Sequence, residues 1–172
     1  MPNVIKTYSG VMFDLVNFNP EDILIEDIAH SLSLTARYGG HSNCLYSVAQ
    51  HCVWCAQQEG VFFKGLYRRD MQYPLYRLMH DGAEAYLGDI VTPLKVLLPE
   101  YKKKEDALLD LIYQKFCGGS ATDLIEEEVK FIDRKALDYE MSFIWEDHCQ
   151  KVAWSAKKSE REFLKMFKRL SK

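Results

Sequence analysis

The chain has 172 residues, of which 48% are hydrophobic and 13% aromatic, enough to bury the core of one domain. A formal net charge of -3 provides no overall positive field, so we expect neither polymeric nucleic acid nor a membrane as a partner. No apolar stretch approaches the roughly 18 to 20 residues that a membrane-spanning helix requires. Five cysteines, an odd set, favour a reducing cytoplasm.

The predicted elements begin with an N-terminal arm over residues 1–24. Residues 8–15 alternate weakly between polar and apolar, which favours a short hairpin or an extended segment before the chain turns at Asn19 and Pro20. A short helix follows over residues 25–34. The next residues read as a loop in which Ser42 or Asn43 can cap the following helix.

Helical periodicity covers most of the remaining chain, with no internal repeat and no long linker. Gly88 ends one of these helices, and Pro93 then forces an irregular crossing before the next helix begins. The sequence predicts an all-α, single-domain helical bundle with a core over residues 25–145 and a C-terminal helix over residues 155–171. The predicted helices cover about residues 44–59, 74–87, 99–117, 122–145 and 155–170.

Histidine and aspartate side chains interrupt the predicted apolar faces of three helices. Asp133 has apolar neighbours at i-4, i-1, i+3 and i+4, and the pair His80-Asp81 lies between Leu78-Met79 and Ala83. His51 lies at the edge of the stripe on the helix before them. An unpaired buried carboxylate costs several kcal/mol, so we expect a bound cation. Two histidines and two aspartates suit Zn, Mn, Co, Ni or Fe better than Mg or Ca.

Two acidic residues are placed to handle water beside such a centre. Glu84 follows His80 by one helical turn and is the candidate for general acid/base work. Asp89 lies just past the helix end and can position the water or the substrate. A divalent metal lowers the pKa of its water towards neutrality. In contrast, the pair Cys52 and Cys55 lies within a helix without a second pair, and we interpret it as core packing.

Two stretches resemble the HD-domain metal-dependent phosphohydrolases. They are residues 46–51, YSVAQH, and residues 80–95, HDGAEAYLGDIVTPLK. They are similar to the small bacterial and phage members that act on nucleotides, including 5'-deoxynucleotidases and the phage dATP triphosphohydrolases linked to 2-aminoadenine genomes. The resemblance covers about residues 25–145. It implies an HD-domain bundle in a bacterial or infected-host cytoplasm, with a divalent transition metal (Zn, Co, Mn or Ni) bound by His51, His80, Asp81 and Asp133.

The resemblance also implies a small-molecule deoxynucleotide substrate. Its phosphates would be held by Arg37, Lys95 and Lys130. An additional Mg or Co ion bound to the phosphates is an option that the resemblance leaves open. Tyr38 and His41 are the candidates for contacts with the base or sugar. Relatives of this type are homo-oligomers, and a group of aromatic residues predicted to be exposed is a candidate subunit interface: Phe62, Phe63, Tyr67, Tyr73 and Tyr76.

The predicted activity is a dNTP triphosphohydrolase that prefers dATP and releases deoxynucleoside and triphosphate by attack of metal-bound hydroxide. Three candidate phosphate cations are more than one phosphate requires, which favours this activity over a 5'-deoxynucleotidase acting on dNMPs. A cyclic-nucleotide phosphodiesterase shares the same metal chemistry and is a further alternative. A non-catalytic nucleotide-binding module is the alternative from another class of protein, and the presence of Glu84 and Asp89 argues against it.

Overall fold

The structure is a computed structural model that describes residues 3–59 and 73–172 of the chain. These residues are mostly helical with one two-stranded hairpin, so the predicted all-α class is confirmed. None of their helices combines the length and the apolar character needed to cross a membrane. The strands are β1 (Val4–Lys6) and β2 (Met12–Asp14), and the helices are α1 (Ile25–Leu34), α2 (Val48–Gln57), α3 (Tyr73–Met79), α4 (Glu84–Leu87), α5 (Thr92–Lys95), α6 (Pro99–Phe116), α7 (Asp123–Met141), α8 (Cys149–Val152) and α9 (Ala156–Leu170).

The N-terminal arm contains the antiparallel hairpin of β1 and β2, in which Ile5 pairs with Phe13. Phe13 is completely buried, and its ring stacks on that of Tyr86 with the centroids 4.2 Å apart. In the turn, the backbone N and the Oγ of Ser9 donate to the carboxylate of Asp27 at 2.6 and 2.8 Å. These contacts attach the hairpin to α1 and to the helical core.

Helices α1, α2, α3 and α9 surround the main core. α1 packs against α9, α4 and α2, while α2 also packs against α3, α9 and α7. The apolar side of α9 faces inward: Phe163 is fully buried, and Leu164, Phe167 and Leu170 pack against the core. Apolar burial of this kind is the main stabilising contribution to such a bundle.

Helix α2 begins later than predicted, at Val48, because residues 44–47 are not helical. Ser47 is the N-cap, with its side chain accepting a hydrogen bond from the backbone N of Gln50, so the caps predicted at Ser42 and Asn43 are wrong. Backbone pairing with the segment after α1 holds this stretch, since the N of Arg37 donates to the O of Tyr46 at 3.0 Å. A helix over residues 44–47 would lose this pairing.

The helix predicted over residues 74–87 is divided into α3 and α4 by a tight turn. Backbone hydrogen bonds from Gly82 to Met79 and from Glu84 to Asp81 close this turn. A Cβ atom at position 82 would lie 2.9 Å from the Met79 oxygen and 3.3 Å from two carbons of Ile112, so the turn requires glycine. The turn carries the pair His80-Asp81 between two helices, where both side chains can aim in one direction.

Helix α7 ends before the predicted boundary, because the chain after it folds into a second small core. Phe143 and Ile144 leave the helix and are buried with Tyr46 in this cluster. Cys149 belongs to the same cluster and forms a disulfide with Cys44, with the Cα atoms 5.9 Å apart. The odd cysteine count did not predict this link between the start of α8 and the segment before α2.

The predicted aromatic interface is wrong for two of its five residues. Tyr73 and Tyr76 are only 9% and 3% exposed, because they pack into the core of the chain itself. The hydroxyl of Tyr76 donates to the carbonyl of Gly119 at 2.9 Å, and its ring packs against that of Tyr113. The remaining three lie outside the described residues: Phe62, Phe63 and Tyr67.

Candidate metal centre

His51 lies on the inner face of α2, and its side chain is completely buried. Its Nδ1 atom lies 2.6 Å from Oε1 of Glu140. Because a carboxylate only accepts hydrogen bonds, Nδ1 carries the proton and donates it to Glu140. The other ring nitrogen, Nε2, is then left with a lone pair at the centre of the bundle.

His80 is oriented in the same way by the turn between α3 and α4. Its Nδ1 atom donates to the carbonyl oxygen of Arg77 at 2.7 Å. Its Nε2 atom lies 3.1 Å from the Nε2 atom of His51. Two nitrogen lone pairs at this distance repel each other unless a proton or another cation lies between them.

Asp81 and Asp133 complete a cluster of four donor atoms. The Oδ2 atom of Asp81 lies 3.6 and 3.4 Å from the Nε2 atoms of His51 and His80. The Oδ1 atom of Asp133 lies 3.2 and 3.9 Å from the same two nitrogens. Ligands bound tetrahedrally at roughly 2.0 to 2.1 Å from a metal are separated from one another by about 3.3 Å. The donor atoms of α2, the His80-Asp81 turn and α7 therefore lie at the spacing of ligands around one ion.

The electrostatics of the cluster also favour a positive charge. Burial by itself would lower the pKa of His80, but the charge of Asp81 and the hydrogen bond to Asp133 outweigh burial and raise this pKa well above its usual value. Burial raises the pKa of Asp133, but its hydrogen bonds to the two histidines outweigh burial and lower it. A bound divalent cation would provide this charge without protonating the ligands.

Glu140 is the residue of this region that the sequence analysis missed. It is fully buried and accepts hydrogen bonds from Nε of Arg37 at 2.9 Å and from the hydroxyl of Tyr38 at 2.5 Å. Burial raises its pKa, but the hydrogen bond from His51 and the nearby positive charges outweigh burial, and the net shift is downward. One signal was available: Glu140 lies seven residues after Asp133, hence two turns along the same face of α7.

Arg37 and Tyr38 are held against this carboxylate by the short turn before α2. NH1 of Arg37 also lies 3.7 Å from Oδ2 of Asp81. Tyr38 has a φ of 60°, a left-handed conformation that costs a non-glycine residue roughly 1 to 2 kcal/mol. Its ring packs near that of Trp145, with the centroids 5.3 Å apart. The hydrogen bond to Glu140 and this ring contact hold the strained conformation in place.

Glu84 lies at the start of α4, three residues after Asp81. Its Oε1 atom accepts a hydrogen bond from Nζ of Lys95 at 2.8 Å, and the same Nζ lies 2.6 Å from Oε1 of Glu105. The second oxygen of Glu84, Oε2, is buried without a hydrogen-bond partner among the described residues. Burial, together with the charges of Asp81 and Asp89, raises the pKa of Glu84 to about 8, although Lys95 lowers it. This carboxyl group can therefore take up or release a proton near neutral pH.

A cavity of about 300 Å³ opens beside the ligand cluster. Burial and the charge of Asp81 raise the pKa of Asp89 in its wall. The stripe on α7 that was predicted to bury Asp133 and Leu137 borders the same cavity, and that prediction is wrong: the Asp133 side chain is 47% exposed and Leu137 is 41% exposed. The cavity brings together seven of the predicted site residues: Arg37, Tyr38, Asp81, Glu84, Asp89, Lys95 and Asp133.

Two other predicted residues lie away from this cavity. Lys130 borders a second cavity, of about 510 Å³, which also reaches Asp133. Its Nζ atom forms an exposed ion pair with Glu126 at 2.9 Å. His41 is exposed and lines neither of these two cavities, and its carbonyl oxygen accepts a hydrogen bond from Nε1 of Trp145 at 3.1 Å.

The cysteines of α2 are both buried, as the core-packing interpretation predicts. They nevertheless lie next to the donor cluster. Sγ of Cys55 is 3.6 Å from Nε2 of His51. Cys52 belongs to a group with His80 and Asp81 whose possible ligand atoms all lie within 4.8 Å of one another.

No protein-family model matches the chain. It is 43% identical over 112 residues to the Escherichia coli K12 protein YfdR, and 35% identical over 114 residues to a protein of Rhodobacter capsulatus. Both relatives are uncharacterized. The matches cover 65% and 64% of this chain but only 57% of each relative, less than two thirds of their length. These similarities therefore transfer no activity to this chain.

Proposed function

We propose that the chain is a metal-dependent phosphohydrolase that acts on deoxynucleotides. The observation that carries the proposal is the approach of the two Nε2 atoms to 3.1 Å between two aspartates, while both Nδ1 atoms donate to fixed acceptors. Two nitrogen and two oxygen donors suit a divalent transition metal such as Zn, Co, Mn or Ni. When bound there, such an ion supplies Lewis acidity at a phosphoryl oxygen.

Glu84 is the proposed general base. Its Oε2 atom, which has no hydrogen-bond partner within residues 3–59 and 73–172, can accept a hydrogen bond from a water molecule, and a pKa of about 8 suits proton transfer near neutral pH. In the proposed reaction the water oxygen forms a bond to phosphorus while the bond between phosphorus and the 5'-oxygen breaks. The proton of the attacking water passes to Glu84, and the leaving 5'-oxygen takes a proton from solvent. Asp89, in the wall of the same cavity, helps to position the water.

A deoxynucleoside triphosphate is the proposed substrate, with deoxynucleoside and triphosphate as products. Both cavities reach Asp133, which leaves room for a substrate to extend in two directions from the donor cluster. Lys130 borders the larger cavity, and its exposed pair with Glu126 contributes about 1 kcal/mol or less, so a phosphate can replace that glutamate. The preference for dATP rests on the sequence resemblance alone.

A 5'-deoxynucleotidase that acts on dNMPs is the second candidate, and the position of Lys95 favours it. Lys95 lies between the carboxylates of Glu84 and Glu105, at 2.8 and 2.6 Å. A lysine that already compensates two buried carboxylates has less charge to offer to a polyphosphate. In that case the site would hold fewer phosphates than a triphosphate carries.

The test is a hydrolysis assay of the purified full chain, loaded in turn with Co²⁺, Mn²⁺, Ni²⁺ and Zn²⁺. Each dNTP and dNMP is supplied, and triphosphate is separated from orthophosphate among the products. We expect triphosphate release that the Asp81→Ala variant lacks. Orthophosphate from dNMPs alone would establish the nucleotidase instead. A metal-loaded protein that hydrolyses neither class of substrate would exclude the proposed function.

A further inference from the structure

Cys55 lies one turn after His51 on α2, so both side chains are on one face of the helix. Its side chain is 1% exposed and packs against Ile132 and Ala136 of α7. These two residues flank Asp133 on their helix. The thiol therefore lies where α2, which carries His51, packs against α7, which carries Asp133. Sγ of Cys55 is therefore adjacent to the donor cluster.

The distances place this sulfur where a ligand would lie. Sγ is 3.6 Å from Nε2 of His51, and Cys55, His51 and His80 offer possible ligand atoms that all lie within 4.8 Å of one another. With metal–sulfur and metal–nitrogen bonds of roughly 2.3 and 2.0 to 2.1 Å, the 90° to 120° angles of a five-coordinate ion separate two neighbouring donors by about 3.1 to 3.8 Å. The observed separation of 3.6 Å lies within that range, and the His51 nitrogen concerned is the one whose lone pair is directed at the cluster.

We propose that the thiolate of Cys55 is a further ligand of the metal ion at this centre, in addition to His51, His80, Asp81 and Asp133. This inference rests on the metal of the proposed function, but not on the reaction that the metal serves. A thiolate is a soft donor, and it favours Zn²⁺, Co²⁺ and Cd²⁺ over Mn²⁺ and Mg²⁺. Binding of the ion releases the thiol proton.

The first experiment is absorption spectroscopy of the metal-free full chain titrated with Co²⁺. We expect visible d–d bands together with a sulfur-to-cobalt charge-transfer band in the near ultraviolet. The Cys55→Ser variant should keep the visible bands and lose the charge-transfer band. Cys117→Ser is the matched control, because Cys117 is also a buried free cysteine but belongs to neither possible metal-binding group among the described residues. This control should keep both features.

The possible outcomes distinguish a failure of the Cys55 proposal from a failure of the metal-centre proposal. Visible bands without a charge-transfer band in the unchanged chain would overturn the role of Cys55 and leave the proposed function intact. Loss of the charge-transfer band in Cys52→Ser rather than in Cys55→Ser would also overturn it, and would assign the sulfur to Cys52. If Co²⁺ gives no visible bands at all, both the metal centre and this inference are wrong.

A second measurement requires no variant. X-ray absorption at the zinc edge of the zinc-loaded full chain should show a sulfur neighbour at about 2.3 Å beside the nitrogen and oxygen neighbours. A first shell of nitrogen and oxygen alone would overturn the inference even if Cys55→Ser failed to fold. Where that variant does fold, we expect its preference for Zn²⁺ over Mn²⁺ to fall by about tenfold or more.

Discussion

Two buried glutamates adjoin the candidate metal centre, and they have different environments. Glu140 accepts hydrogen bonds from three side chains, those of His51, Arg37 and Tyr38, and its pKa is lowered. In the part of the chain that the structure describes, Glu84 has one such donor, Lys95, which it shares with a second carboxylate, and its pKa is raised to about 8. Both side chains are removed from water, so burial alone does not explain the difference.

The number of hydrogen-bond donors, and whether a donor is shared with another carboxylate, decides which of the two glutamates keeps its negative charge. A buried carboxylate that accepts several hydrogen bonds stays ionised, whereas one with few donors and several negative neighbours binds a proton. Glu140 is therefore suited to hold the imidazole of His51 in one orientation. Glu84 is suited to exchange a proton with water in the cavity. Substitutions of Glu84 and of Glu140 should therefore affect different properties of the protein.

The largest expected effect follows from Glu84→Gln. The amide keeps the size of the side chain but cannot take a proton from water, so we expect kcat to fall by roughly 10² to 10⁴-fold. Bound metal, measured by elemental analysis, should not change, because Glu84 is not one of the proposed ligands. Glu105→Gln is the matched control, since it removes the other partner of Lys95 and leaves Glu84 in place. A kcat within tenfold of the unchanged chain would contradict the role of Glu84 as general base.

The substitution Glu140→Ala, in contrast, should reduce the stability of the fold. It leaves the donors of Arg37, Tyr38 and His51 without their buried acceptor, and breaking a buried pair in this way costs roughly 3 to 5 kcal/mol. The free energy of unfolding in urea measures the loss. Glu140→Gln, which retains one carbonyl oxygen, should lose less. If Glu140→Ala lost under about 1 kcal/mol, the three hydrogen bonds would not hold this region together.

The difference between the two glutamates could not be predicted from the sequence, because their partners come from distant segments. Glu140 looks like an ordinary charged residue of a long helix until the turn at Arg37 and Tyr38 is placed beside it. Lys95 looks like a free phosphate ligand until Glu84 and Glu105 are seen on both sides of it. Sequence spacing reports which residues share a helix face, but not which residues of other helices lie opposite.

Elements with local signals were predictable, and those that depend on long-range pairing were not. Helix α9 begins after Ser155, whose side chain accepts a hydrogen bond from the backbone N of Lys158, and its apolar spacing is regular. Residues 44–47 have the composition of a helix start, yet the pairing of Ala36 with Ser47 keeps them out of the helix. The group of His51, His80, Asp81 and Asp133 was recognisable because histidine and aspartate on apolar faces are conspicuous in a sequence.

Lys95→Met should show which of two roles Lys95 has. Its charge lowers the pKa of Glu84, so its removal raises that pKa. Because the base must be ionised, activity rises with pH through the pKa of Glu84, and the rising limb of the kcat profile should move to higher pH in the variant. A change confined to KM for the nucleotide, with an unshifted profile, would instead identify Lys95 as a phosphate ligand. Measurement of kcat and KM from about pH 6 to 10 separates these outcomes.

The smallest effect is expected at Lys130, whose pair with Glu126 is exposed, unlike the buried contacts of Glu84 and Glu140. Lys130→Ala should change the free energy of unfolding by less than about 1 kcal/mol. If Lys130 binds the phosphate chain, the same change should raise KM for dNTPs by about fivefold, equivalent to about 1 kcal/mol, and leave KM for dNMPs unchanged. Glu126→Gln is the matched control, because it removes the competing carboxylate and should lower KM for dNTPs or leave it unaltered. Equal effects of Lys130→Ala on both substrate classes would contradict the triphosphate assignment, because a dNMP has no β- or γ-phosphate for this lysine to bind.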